Sequence, residues 1–288
     1  MITRFSCTFI FLCAIFTANK AQGIFRHADS LFSTGNYRNA AIEYERVIYL
    51  TNDLNITNHS VYNKAICYKN LGEYSKACQQ LLRISYFGTS DSAQFLYHFE
   101  MAGCSFLAGK FEDTRSQLLQ IRQYTKDSSF IKKILLLEAL NNDELGDYSA
   151  AKESLTKYFE ANFSASRADS LKHVFADYYS RRGLPRIRSQ KMAEILEYLP
   201  GLGLLYAGYP VIGAFNFLLN AACLTAGVYE IYYGFYFTGY FAGAAVLSKF
   251  YFGGRSLTEK MIVERNYIEK RRFNDKVRMH LSEIKSRI

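Results

Sequence analysis

The sequence predicts an all-α protein: a solenoid of helical pairs, then an apolar helical hairpin, then a basic C-terminal helix. Three observations predict it. A pattern of small residue, glycine and aromatic recurs at fixed spacing through the first half of the chain. Residues 195–254 carry only Glu197, Glu230 and Lys249 as charged side chains. The 288 residues contain only 3 prolines, and Leu-rich helical stretches with so few prolines argue against an all-β sandwich. The length suits about two domains. An apolar content of 49% excludes a disordered chain, and 6 cysteines are too few for a disulfide scaffold.

Residues 1–23, MITRFSCTFIFLCAIFTANKAQG, read as an export signal. Arg4 precedes an apolar run from Phe5 to Ala18, and a short tail with small residues follows. Ala21 and Gly23 suit the cleavage positions, which puts the mature start at Ile24. The run is short for a helix that must cross about 30 Å of hydrocarbon. An uncleaved anchor and a lipoprotein start at Cys13 compete, the latter disfavoured by bulky Phe11 and Leu12. An oxidising compartment permits a bridge among Cys67, Cys78 and Cys104 but implies no framework; buried thiols are the plainer reading.

In residues 24–160 the glycines of Gly35-Asn-Tyr37, Gly72-Glu-Tyr74, Gly109-Lys-Phe111 and Gly146-Asp-Tyr148 stand 37 residues apart. Seven positions before each glycine lies Ala28, Ala65, Ala102 or Ala139. Five after it come Ala40, Ala77, Thr114 and Ala151, then Tyr44, Leu81, Leu118 and Leu155 four later. Glycine ends a first helix in a left-handed turn, and the aromatic packs back over that turn. Small residues let a second helix approach closely, so stacked pairs share one core. Residues 161–194 hold a further amphipathic capping helix and a basic linker.

This set of spacings resembles the tetratricopeptide repeat (TPR) family over roughly residues 24–160. It departs in its period of 37, in Thr114 and in lacking the proline that often ends a repeat. The resemblance implies a groove, lined by the first helix of each pair, that binds a peptide or partner protein. It would present Tyr62, Asn63, Ile66, Lys69 and Asn70 from the second repeat, and Phe99, Glu100 and Phe106 from the third. Ile66 occupies an Asn position of the carboxylate clamp some members use, so that clamp is not reproduced. A competing reading packs these aromatics between repeats. The net charge of residues 24–180 is −1, which gives no electrostatic case for nucleic acid.

Residues 195–254 fit a membrane hairpin with spans near 209–229 and 232–252 and Glu230 at the turn, among Tyr229, Tyr232 and Tyr233. A soluble hairpin buried against the repeats is the alternative. Before it runs Pro200-Gly201-Leu-Gly203-Leu-Leu-Tyr206-Ala-Gly208, where Pro and Gly break the helix at the membrane surface. The string is similar to the P-G-x-G-x-x-Y-x-G signature of bacterial integral-membrane proteins with short helical hairpins, several of which carry TPR repeats. Leu204 departs from the Gln many of them have. With no Lys-Ser/Thr following, a phosphate loop is discarded. Gly239 and Gly243 form a G-x-x-x-G compatible with close helix packing.

Basic residues concentrate in the flanks: residues 181–194 are net +4 and the amphipathic tail, residues 255–288, is net +5. Anchoring to anionic headgroups explains them, at ~1 kcal/mol per basic residue near the surface. A sharper reading makes Arg271, Arg272, Lys276 and Arg278 a docking helix for an acidic or nucleic-acid partner. Basic flanks favour the cytoplasm, whereas an exported array lies outside it. Because the N-terminal signal acts first, the expected place is the inner membrane with the array in the periplasm.

Enzyme chemistry finds little support. His27, His59, His98, His173 and His280 are scattered, and no H-E-x-x-H, C-x-x-C or G-x-S-x-G occurs. No enzyme activity, cofactor or metal is expected. The sequence favours a membrane-tethered TPR scaffold that binds a protein partner in a bacterial envelope, during assembly, secretion or membrane-protein biogenesis, and touches lipid through its hairpin and flanks. In the alternative, the Pro/Gly-broken segment and Glu230 act directly on substrate insertion or transport.

Overall fold

The computed structural model describes residues 23–125 and 127–286. The export signal falls almost wholly outside the described residues. Those described are helical, with no strand among them, and the helices pack in neighbouring pairs. The chain divides into two compact units, Met1–Phe175 and Ala176–Ile288.

In the first unit the helices are α1 (23–33), α2 (Tyr37–Leu50), α3 (Leu54–Asn70), α4 (Tyr74–Leu81), α5 (Asp91–Leu107), α6 (Phe111–Tyr124), α7 (Ser128–Leu145) and α8 (Tyr148–Asn162), and α9 (Ala165–Tyr178) begins in it and ends just past its boundary. Gly35, Gly72, Gly109 and Gly146 each stand between the two helices of a pair, at φ of +78°, +75°, +74° and +83°. The residue after each glycine donates its N–H back across the turn, as from Glu73 to the Tyr68 carbonyl at 2.9 Å and from Lys110 to Ser105 at 2.8 Å. With the glycine's own N–H, as from Gly72 to the Lys69 carbonyl at 3.0 Å, two otherwise orphaned helix-end carbonyls are satisfied at each turn. The small residues of the pattern (Ala28, Ala65, Ala102, Ala139, Ala40, Ala77, Thr114 and Ala151) all have 0% exposure. Threonine is accommodated because Thr114 Oγ1 donates to the Lys110 carbonyl at 3.0 Å, so its extra polar atom is not left unpaired.

The spacing also marks the helix starts, a signal the glycine alignment passes over. Asp53, Ser90 and Asp127 cap α3, α5 and α7 through side-chain oxygens that accept backbone N–H bonds, and they lie 37 residues apart. Ser164, the next in that series, immediately precedes α9. Ala176 and Gly183 continue the alanine and glycine series. There the pattern stops: Pro185 stands where each earlier turn had an aromatic, and residues 185–189 form no helix. The capping helix α9 is thus the first half of a fifth pair whose second half is missing.

Ion pairs tie successive pairs together. Lys69 Nζ meets Glu100 Oε2 at 2.6 Å, and Arg122 grips Glu138 with two bonds of 2.9 and 2.6 Å. Glu45 of α2 receives Arg83 at 2.9 Å and the largely buried Lys64 at 2.8 Å. Asn58 pins the loop after α4 by bonding both the carbonyl and the N–H of Ser85, at 2.7 and 3.0 Å. Cys67, Cys78 and Cys104 are buried free thiols, and burial pushes those of Cys67 and Cys104 up to about 12.

The second unit contains α10 (Gln190–Leu196), α11 (Leu202–Ala207), α12 (Pro210–Tyr232), the short α13 (Tyr236–Gly239), a π-wound turn (Tyr240–Ala245) and α14 (Val246–Ser286). Only α12, among the described residues, is long and apolar enough to cross a membrane, with a mean hydropathy of 1.7 over its best 18-residue window and 17% of that window buried. The expected second span at 232–252 takes a different form. Gly234, at φ +85°, turns the chain, and the return arm passes through the π-wound residues before regular α-helix resumes. The basic tail is no separate element, because α14 runs unbroken for 41 residues from the apolar arm into it. Gly253 and Gly254, which look like a boundary, are helical; Gly254 backs onto the side-chain amide of Asn216, leaving no room for a Cβ.

The two arms touch through glycine. A Cβ on Gly227 would lie 2.5 Å from Gly243 Cα, and one on Gly239 2.7 Å from Ile231 Cγ1. The G-x-x-x-G therefore packs against α12 of its own chain.

In the first unit, Gly72→Ala meets open space but keeps a left-handed φ, so it should cost about 1 kcal/mol. Ala77→Leu must push neighbouring helices apart and should cost about 1–3 kcal/mol. Denaturant unfolding of the full chain in detergent measures both. For Glu45, hydrogen bonds from Arg83, opposed by partial burial and aided by Lys64, hold the carboxyl below the usual range. That contribution is complete above the unfolded-state value and is lost as pH falls through the folded one. Wild type should therefore lose more melting temperature than Glu45→Gln between about pH 5 and pH 3; equal losses would contradict it.

Candidate functional site

The Pro/Gly string builds a joint between α10, α11 and the middle of α14. Pro200 leads into Gly201, which caps α11 at φ +86°, while Gly208 ends it at φ +92° and Pro210 opens α12. Each glycine lies where a side chain would collide: Gly201 with the Gly213 carbonyl, Gly203 with Glu197, Ala193 and Thr258, and Gly208 with the Arg188 guanidinium. The Tyr206 hydroxyl accepts the Ser189 N–H at 3.1 Å, while the Ser189 hydroxyl caps α10 by accepting from Met192 N–H.

Polar groups from distant segments of the chain complete the joint. The Asn266 side chain on α14 pairs with Arg188, accepting its N–H at 2.8 Å and donating to its carbonyl at 2.9 Å. Glu197 is 3% exposed; its Oε1 accepts the Gly201 N–H at 3.1 Å, and its Oε2 is buried without a hydrogen-bond partner. Arg188 Nη1 is likewise buried and unpartnered. Thr258 donates to the Gly254 carbonyl at 3.0 Å. Its hydroxyls and amide thus serve the backbone, so the joint holds helices in register rather than presenting a nucleophile and a base. Sequence reasoning passed over Glu197 and Asn266; the signal available was a lone carboxylate four positions before the first glycine of the string.

Glu230 lies apart, in the last turn of α12. Its Oε2 accepts from the Thr238 hydroxyl at 2.9 Å, and its carbonyl accepts the Phe235 N–H at 2.9 Å, so it fastens the hairpin turn.

In the first unit the predicted groove residues divide. Tyr62, Lys69 and Glu100 come together across α3 and α5, with Tyr62 against Tyr97 at 5.6 Å and Lys69 paired to Glu100. Burial first, then the Glu100 charge, pushes the Tyr62 hydroxyl up to about 12. Asn63 contacts His59 at 3.4 Å, Ile66 is half-buried and Asn70 is exposed. Phe99 instead stacks on Phe95, and Phe106 meets Phe111 edge-on across the turn, both at 5.6 Å. These two pack within and between pairs.

Among the described residues, no group of three His, Cys, Asp or Glu side chains is placed to hold a metal ion. No family model, curated protein or solved structure matches this chain.

Gly203→Ala should destabilise the second unit by about 1–3 kcal/mol, since the methyl meets a carbonyl and a buried carboxylate. Asn266→Ala should cost a similar amount, on the order of 1–3 kcal/mol, by stranding the Arg188 backbone groups. Tyr206→Phe removes one acceptor from an exposed N–H and should cost less than either. Thermal unfolding of the three variants in detergent tests this order.

Proposed function

We propose that this chain is a membrane-tethered scaffold: the helical pairs form a TPR-like array that captures a protein or peptide partner, and the α12 hairpin holds it at a bilayer. The observation that carries this reading is one chain that combines regularly spaced helical pairs with an apolar helix left largely uncovered. At about 1.5 Å per residue, α12 is about 35 Å long, matching the hydrocarbon core. Apolar side chains exposed along it, such as Phe215 and Leu218, suit lipid rather than water.

The partner surface is assigned to the α3–α5 face around Tyr62, Lys69 and Glu100, with Asn63, Ile66 and Asn70 elsewhere on α3. Ion pairing there orders Lys69 and Glu100 before a partner arrives, which reduces the entropy lost on binding. The bond from Thr238 to Glu230 favours a fastening role for that carboxylate over direct action on a substrate. The bacterial inner membrane, with array and tail both on the periplasmic side, is the proposed location.

Two measurements test the reading. A photo-crosslinker at exposed Asn70 should capture one discrete partner in cells, and Tyr62→Ala should abolish that adduct while Glu230→Gln leaves it intact; the reverse pattern would overturn the scaffold. Ser116→Cys and Ser282→Cys should both react with an impermeant maleimide added outside the inner membrane. Protection of both until that membrane is breached would move the array to the cytoplasm.

A further inference from the structure

The two basic flanks, about 90 positions apart in the sequence, converge in the second unit on one cavity of roughly 510 Å³. Arg182 and Arg186 reach it from the non-helical segment before α10, and Arg272 and Lys276 from one face of α14. Glu269 also lines it, but its Oε1 is engaged by Arg265 at 3.0 Å and by Arg272 at 3.6 Å. Asp177 is an exposed carboxylate at the same cavity. Arg182, Arg186 and Lys276 have no acidic partner within 4.0 Å among the described residues. The buried ring of Phe273, set edge-on to Tyr179 at 5.6 Å, supplies an apolar wall.

We propose that this cavity is a binding site for a small, soluble, multiply charged phosphate anion. Four cations against the two carboxylates Asp177 and Glu269 leave the lining with an excess of positive charge, and a polyanion relieves the remaining repulsion while the apolar wall strengthens its field. Three guanidinium forks match tetrahedral phosphate oxygens in pairs, which a lysine cluster does not. The volume falls within the range of small-molecule sites, about 300–1,000 Å³. The lining retains a net charge of +2, from Arg182, Arg186, Arg272 and Lys276 against Asp177 and Glu269, and attraction to it grows with the ligand's own charge, which favours an anion carrying more than one negative charge.

Lipid headgroups carry the same chemistry, and position along α14 separates the two sources. Arg272 stands about 30 Å along the helix from Phe252, where the apolar arm ends, at 1.5 Å per residue. That is several times the Debye length of about 8 Å at physiological salt, so a bilayer around the apolar arm exerts little attraction on the cavity. The anchoring role expected of the whole tail is thereby confined to its first turns, near Arg255 and Lys260.

The test is calorimetric titration of the full chain in neutral detergent with inorganic pyrophosphate at 0.15 M chloride. Saturable one-site binding is expected, at least tenfold weaker in Arg186→Glu and in Lys276→Glu. Lys260→Glu, an equal charge change on α14 outside the cavity, should leave it within twofold. These side chains are exposed, and unchanged helical circular dichroism and melting confirm that each variant folds. Absence of pyrophosphate binding to wild type, or equal weakening by Lys260→Glu, would overturn the site. In parallel, flotation with phosphatidylglycerol vesicles should be unaffected by Arg186→Glu; loss of flotation in that variant without pyrophosphate binding to wild type would assign the cavity to lipid and overturn the soluble ligand.

Discussion

Close approach of helix backbones is the constraint on which both units depend. A helix pair with large residues at the contact keeps its axes about 8–10 Å apart. Glycine or alanine there lets the second helix fold directly onto the first. In the first unit Ala65 and Ala77, or Ala139 and Ala151, occupy such contacts at 0% exposure. In the second, Gly227 faces Gly243 across the hairpin, and Gly201 faces Gly213 at its foot. Larger residues then pack around these points: Tyr44 and Leu81 beside the alanines, Leu204 beside Gly213.

The same constraint explains how polar groups are used. Where backbones come within contact distance there is no room for water, so each buried donor or acceptor needs a protein partner. Asn58 bonds both backbone groups of Ser85, and Asn266 does the same for Arg188. One amide side chain satisfies two backbone groups in each case and fixes an irregular segment against a helix. Glu197 Oε2 and Arg188 Nη1 are exceptions at the joint, buried without a hydrogen-bond partner beside Gly203 and Gly208.

Much of the first unit was legible in the sequence because a repeat states the same packing problem several times. Gly35, Gly72, Gly109 and Gly146 announced the turns, and the eight small positions announced the contacts. The fifth, incomplete pair carries the same marks in Ser164, Ala176 and Gly183, but with Pro185 in place of the aromatic the segment read only as a capping helix and a basic linker. The candidate sites were less legible. Of the residues that the TPR resemblance implied, Tyr62, Lys69 and Glu100 lie together across α3 and α5, while Phe99 and Phe106 make neighbouring aromatic contacts that spacing does not encode. The flanking cations were read as headgroup anchors, with a docking helix of Arg271, Arg272, Lys276 and Arg278 as the sharper alternative; neither reading separates Arg188, which lies inside the joint, from Arg186, which lines a cavity.

The sequence by itself determined the helical class, the glycine turns within the first-unit pairs, and the apolar length of α12, because these depend on local conformational preference and on residue spacing. Only the tertiary structure decided that the second arm and the tail are one helix, that Gly203 is reserved for Glu197 and Thr258, and that Arg182 and Arg186 meet Arg272 and Lys276. Those facts depend on which distant segments share space. A side chain's neighbours across a helix crossing are set by the approach of two backbones, and no local pattern carries that information.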